Sequence, residues 1–288
     1  MSSNTIKTVV ILTVIGALFM AVGYAFGSTT GLTIGLVIAL LFVGYQYWNC
    51  DRIAIRAARA RPVSEAEMPE YYRVVRDLTQ RGGLPMPQLY VTPDLQPNAF
   101  ATGRNPEHAA VAVTQGILQI CTWDELRGVL AHEICHVGNR DTLLTSIAAS
   151  MALAITFAAR MLGFFGGAFL GGGGGRDRGG AGGLEALAMI IFAPLAAVLL
   201  RLALSRSREY EADRCGARML GDGEPLARAL SKLETTARQV PMPVRPEMSS
   251  LFIINPLSGR QMSFRNLLSD HPPTDQRIAR LRSREWAR

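Results

Sequence analysis

Two histidines stand four residues apart in Ala131-His132-Glu133-Ile134-Cys135-His136-Val137, with a carboxylate directly after the first. On an α-helix, positions i and i+4 share a face one turn apart, so His132 and His136 can aim ring nitrogens at a single metal ion. Glu133 sits one residue round from His132, beside such an ion rather than on it, where a general base can hydrogen-bond a water. The chemistry this set performs is metal-assisted hydrolysis, with one Zn²⁺ per chain as the expected ion. An ordinary amphipathic helix would account for the same letters, so the surroundings must decide.

The motif needs a helix, and the sequence starts one for it. Thr122 with Glu125 three residues on reads as a capping box, and Leu126, Val129, Leu130, Ile134 and Val137 follow at helical spacing. A two-histidine zinc site needs a third protein ligand and an open position, and a Glu from a second helix is one solution. Residues 204–217 read as such a helix, with carboxylates at Glu209, Glu211 and Asp213 among arginines. A solvated face of mixed charge would explain that segment equally well.

Hydrophobic residues make up 49% of the 288, and the mean hydropathy of +0.17 is high for a soluble enzyme. The apolar residues are concentrated. Residues 9–26 and 32–48 carry no charge, approach the length of a membrane span, and are joined by the uncharged turn Gly27-Ser28-Thr29-Thr30-Gly31. Arg52, Arg56, Arg59 and Arg61 then place that end in the cytoplasm, with Lys7 on the same side. Residues 143–159 and 186–200 form a second apolar pair around a glycine-rich linker at 171–183, with Arg201, Arg206 and Arg208 at the exit. The expected organisation is a transmembrane hairpin at 1–48, a first catalytic part at 49–142, a second hairpin at 143–204 and a second catalytic part at 205–288.

Within the first catalytic part, a helix is expected from near Ser64 to Gly82-Gly83. Short strands at 88–92, 98–102 and 109–114 should form a small antiparallel sheet whose edge could accept an extended peptide. The net charge of +7 and pI near 9.6 sit in juxtamembrane and C-terminal arginines, which fits anionic lipid and not nucleic acid. The linker lacks the Lys-Ser/Thr ending of a phosphate loop. Cys50, Cys121, Cys135 and Cys215 have no paired spacing and imply no disulfide, and Cys135 reads as packing.

Taken together, the motifs resemble the HtpX-type membrane-embedded zinc metalloproteases, relatives of the CAAX prenyl endopeptidases. The resemblance rests on His132-Glu133-Ile134-Cys135-His136 followed by Asn139-Arg140-Asp141, on Ser207-Arg208-Glu209-Tyr210-Glu211-Ala212-Asp213, on Pro97-Asn98-Ala99-Phe100-Ala101-Thr102-Gly103, and on His271-Pro272-Pro273. It implies His132, His136 and Glu209 as zinc ligands, Glu133 as catalytic base and Asp213 as a partner orienting a ligand histidine. It also implies Asn98, Ala99 and Phe100 along bound substrate, and His271 near the cleft. Helical geometry agrees about the third ligand: Glu209 and Asp213, four apart, share a face that Glu211 does not. The resulting expectation is a mainly helical α+β protein: four transmembrane helices with a cytoplasmic zincin-like domain, multi-pass in a bacterial inner membrane. It would cut polypeptides, chiefly misfolded membrane proteins. The competing readings are a catalytically idle membrane adaptor and a prenyl-protein endopeptidase.

Overall fold

The helix that carries the motif begins where its capping chemistry puts it. In the computed structural model, which describes residues 3–152, 205–239, 253 and 272–287, α4 spans Trp123–Gly138. Thr122 Oγ1 accepts from the Glu125 N–H at 3.3 Å, and the Glu125 carboxylate accepts from the Thr122 N–H at 2.8 Å. Around α4 lie α1 (Ser3–Ala57), α2 (Pro69–Gly82), the short α3 (Gln115–Ile120), α5 over residues 141–152, α6 (Arg206–Leu220), α7 (Glu224–Gln239) and α8 (Thr274–Arg282).

Although α1 is helical from Ser3 to Ala57, it is not straight. Ser28 has φ 54°, and a Cβ built on Gly35 would lie 2.5 Å from the Phe19 carbonyl oxygen. Sixteen residues of straight helix would separate those positions by about 24 Å. The chain therefore reverses at Ser28, and the Phe19 and Phe42 rings meet at 5.4 Å across the two arms. The arm Ser28–Ala57 is the one described helix long and apolar enough to cross a membrane. It exposes Val37, Leu41, Tyr45 and Trp48, and it continues past 48 to carry the first arginines. The rest of the expected four-helix membrane region, residues 153–204, lies outside the described residues. Residues 144–151 bury Leu144, Ile147 and Met151 against Cys50, with Phe19, Phe42 and Tyr47 packed alongside.

The sheet corrects one expectation. Its strands are β1 (Arg61–Pro62), β2 (Gln88–Thr92), β3 (Ala99–Gly103) and β4 (Ala109–Thr114), in the order β1-β2-β4-β3. β2 and β4 are parallel, so the sheet is mixed, not antiparallel. The β3–β4 hairpin folds back so that β4, later in sequence, lies between β2 and β3. β4 has no charged residue and is buried on both faces, as a central strand must be. Val111 and Val113 enter the main core with Val129 and Leu130, while Ala110 and Ala112 face Ala54 and Ile55 of α1 and Ala58 just past its end.

α2 starts five residues later than expected. Ser64 and Glu67 do make a capping turn, with the Ser64 N–H donating to Glu67 at 2.7 Å. Pro69 then disfavours helical geometry at Met68, which sits at φ −137°, ψ 66°. The predicted end is met, with Gly83 in the left-handed conformation at φ 62°.

A second correction concerns the cysteines. Cys135 of α4 and Cys215 of α6 form a disulfide with their Cα atoms 6.0 Å apart and a separation of 80 positions in sequence. A separation of that size leaves no spacing signal, and the pairing follows only from the packing of the two helices. Cys50 and Cys121 are free.

Candidate metal centre

α4 and α6 pack closely enough for their side chains to share one site. A Cβ on Gly216 would come within 3.1 Å of the His132 backbone nitrogen, so a larger residue there would push the helices apart. Across this contact His132, His136 and Glu209 converge, each offering a ligand atom within 4.8 Å of the others. The two Nε2 atoms are 3.1 Å apart, and Glu209 oxygens lie 3.6 Å from His132 Nε2 and 3.5 Å from His136 Nε2. Donors about 2.05 Å from a tetrahedral centre stand roughly 3.3 Å from one another, so the set fits a small tetrahedral divalent ion.

Behind each histidine stands a carboxylate. His136 Nδ1 is hydrogen-bonded to Asp141 Oδ2 at 2.9 Å, and His132 Nδ1 lies 2.9 Å from Asp213 Oδ1, close in distance though poorly aligned as a hydrogen bond. Such partners fix the tautomer that leaves Nε2 available to a metal. The carboxylates are themselves held. Arg277 of α8 forms a fork with Asp213 at 2.8 and 2.7 Å, lies 4.0 Å from Glu209, and donates to the Ile253 carbonyl at 2.7 Å. Arg208 approaches Asp141 at 3.9 Å.

Burial sets the electrostatics. Burial alone would raise the Asp213 pKa, but Arg277 and then His132 outweigh it and hold the group down at about 2. Burial would lower His132, yet Asp213 and Glu209 favour its charged form and bring it to about 9 in the absence of metal. Glu133, 5% exposed, has its pKa raised, chiefly by burial, while the neighbouring histidines oppose the shift. Its Oε2 accepts the Ala101 N–H of β3 at 2.9 Å. One carboxylate oxygen, Oε2, is thus anchored to the backbone of β3.

Most of the expected site residues come together. Glu211 instead is exposed and pairs with Arg214 at 3.5 Å. Asn98, Ala99 and Phe100 are buried: Asn98 Oδ1 accepts the Ile253 N–H at 3.0 Å, and Phe100 packs toward α1. His271 lies outside the described residues. Asp141 and Arg277 were not singled out from sequence. Asp141 could have been found by its place five residues after His136, whereas Arg277 sits in an arginine-rich tail without a distinguishing signal.

The pattern of peptidase family M48 matches residues 65–285. Proteins named Protease HtpX homolog from Pelotomaculum thermopropionicum and Syntrophobacter fumaroxidans are each 48% identical, over 278 and 279 residues, covering 96% of this chain and 98% of their own. One from Kineococcus radiotolerans is 48% identical over 286 residues, 96% of each chain. The crystal structure of S. mikatae Ste24p matches with a TM-score of 0.51 at 19% identity, over 97% of this chain and 65% of that one, a likeness of fold.

Proposed function

The chain belongs to peptidase family M48, and on that premise we propose that it is a zinc-dependent endopeptidase at the cytoplasmic face of a bacterial inner membrane, cutting unfolded or damaged membrane proteins. Membership makes it a metalloprotease with polypeptide substrates. The observation that carries the finer reading is the convergence of His132, His136 and Glu209, with a carboxylate behind each histidine. In this reading those three residues hold zinc, and Asp213 and Asp141 orient the two imidazoles. When bound, zinc supplies Lewis acidity toward the scissile carbonyl and lowers the pKa of water towards ~7.

The chain's own residues supply the proton path and the binding. Glu133 takes the proton from the attacking water at Oε1 and returns it to the departing amine nitrogen. Its raised pKa brings it nearer the pH at which both halves of that transfer are feasible. β3 borders the site and pairs on one side with β4; Glu133 holds its Ala101 N–H and Ser146 its Gly103 N–H, so an extended peptide added along this strand uses the main-chain groups those contacts leave. Two hairpins, at 1–48 and 143–204, hold the catalytic parts 49–142 and 205–288 on the cytoplasmic side. The arginines after residue 50 and the apolar arm Ser28–Ala57 support this placement.

The test compares purified wild type with Glu133→Gln for zinc content and for chelator-reversible hydrolysis of an unfolded protein in detergent. The variant should keep its zinc and lose about 10²–10⁴-fold in turnover, the range for removal of a general base. Turnover near wild type would remove Glu133 from the mechanism.

A further inference from the structure

Away from the metal centre, the arginine-bearing end of α1, the face of β2 that looks toward it and the β3–β4 loop line a cavity of about 660 Å³. Arg52, Arg56 and Arg104 line it, together with Trp48, Asp51 and Glu107, and His108 stands at its rim hydrogen-bonded to Asn105 at 2.8 Å. Other surface arginines nearby are paired: Arg59 with Asp94 at 2.6 Å, Arg61 with Glu67 at 3.2 Å, and Arg76 with Glu65 at 2.6 Å. Among the described residues, Arg52, Arg56 and Arg104 have no carboxylate partner. Arg104 spends one donor on the Trp48 carbonyl at 3.2 Å and keeps the rest of its guanidinium. Three guanidinium groups around one cavity suit a phosphate.

Two further features narrow the ligand. Asp51 lines the same cavity beside the arginines, so a ligand that carries a cation next to its phosphate is matched there at both ends. Also, Arg52 and Arg56 continue a face of α1 that runs through Leu41, Tyr45 and Trp48, which are 70%, 57% and 61% exposed. Steps of three and four residues keep these five side chains on one side of the helix. An apolar stripe that ends in unpaired arginines has the outline of a lipid: chain along the stripe, phosphate at the basic end.

We propose that this cavity binds the head group of a phosphatidylethanolamine-type phospholipid, its phosphodiester on Arg52, Arg56 and Arg104 and its ammonium toward Asp51. The site fixes the depth at which the catalytic part sits on the bilayer, and it rests on the membrane placement proposed above. A free phosphate would satisfy the arginines but leave the stripe and Asp51 unanswered.

The test uses full-length protein in non-ionic detergent, titrated with dioleoyl phosphatidylethanolamine, phosphatidylglycerol and phosphatidylcholine, with retained lipid counted by native mass spectrometry. Wild type should retain one ethanolamine lipid in preference to the other two. The triple variant R52A/R56A/R104A should bind it roughly 100-fold more weakly, from about fivefold per basic residue at a membrane surface. Asp51→Asn should erase the preference over phosphatidylcholine while binding still depends on the arginines. Since these side chains lie outside the metal centre, hydrolysis of an unfolded protein in detergent should be unchanged in all variants, which reports that they are folded. Equal retention by wild type and the triple variant, a preference for the glycerol lipid, or displacement of bound lipid by millimolar inorganic phosphate would each overturn the proposal. Release of wild type from membranes by alkaline carbonate would instead overturn the membrane placement on which it stands, whatever the lipid count.

Discussion

The metal centre and the juxtamembrane cavity treat charge in opposite ways. At the centre, the buried ionisable groups answer one another: His132 to Asp213 to Arg277, His136 to Asp141, and Glu133 to the Ala101 N–H. At the cavity, three guanidinium groups face a shared space with no carboxylate partner among the described residues. A site that must hold one geometry closes its own network, because an unmatched buried charge costs several kcal/mol. A site at the water boundary can leave charges open, since solvent carries them until a ligand arrives.

That contrast can be broken at the centre first, where effects should be largest. Glu209→Ala should lose most of its zinc and all measurable activity, whereas Glu211→Ala, altering an exposed residue paired with Arg214, should match wild type in both. Metal analysis showing the reverse would move the third ligand to Glu211. Next comes Arg277→Met, which strands Asp213 without its guanidinium. Removing one member of a buried pair typically costs about 3–5 kcal/mol, so the denaturant midpoint should fall sharply. A midpoint unchanged from wild type would show that the network does not close through α8.

The disulfide should matter less. Cys215→Ser should lower stability by about 2–4 kcal/mol but leave zinc bound, because Gly216 and the Asp213–His132 contact still draw α6 onto α4. The same bond tests the compartment. If the catalytic part faces a reducing cytoplasm, alkylation in intact cells should find Cys135 and Cys215 as thiols, with the bond forming after lysis in air. A fully bonded pair in growing cells would put this face on the oxidising side.

The smallest expected effect is a pH dependence of the metal-free protein. His132 is raised from 6.5 to about 9 in the folded state. Its contribution is therefore complete below the unfolded value and lost as pH rises through about 9. Chelated protein should melt at progressively lower temperature from pH 7 to pH 9.5. Zinc-loaded protein should not share this decline, since a ligating imidazole is already neutral. Parallel melting curves for the two forms would contradict the assignment.

Much of the fold that places the motif was legible in the sequence, because it rests on local chemistry. Thr122 and Glu125 cap α4 as their spacing demands, Gly83 ends α2, and β2 and β4 fall on the expected residues. Pairing between distant segments was not legible. The parallel alignment of β2 with β4 and the bond between Cys135 and Cys215 depend on which surfaces meet, and no residue type announces that. Arg277 escaped for a related reason. In the sequence it is one arginine among several, and only a carboxylate 64 residues earlier gives it a buried role.

Arg277 also has a consequence for the protein's biogenesis. The three proposed ligands and the proposed base are already synthesised when Asp213 emerges from the ribosome, yet Asp213 then lacks the cation that braces it beside His132. Until α8 follows and docks, the Asp213–His132 contact is without the guanidinium that braces it in the folded protein. A protease whose centre is tightened by a helix whose arginine comes 64 residues after Asp213 is restrained until that helix is synthesised, while it is still surrounded by other unfolded chains.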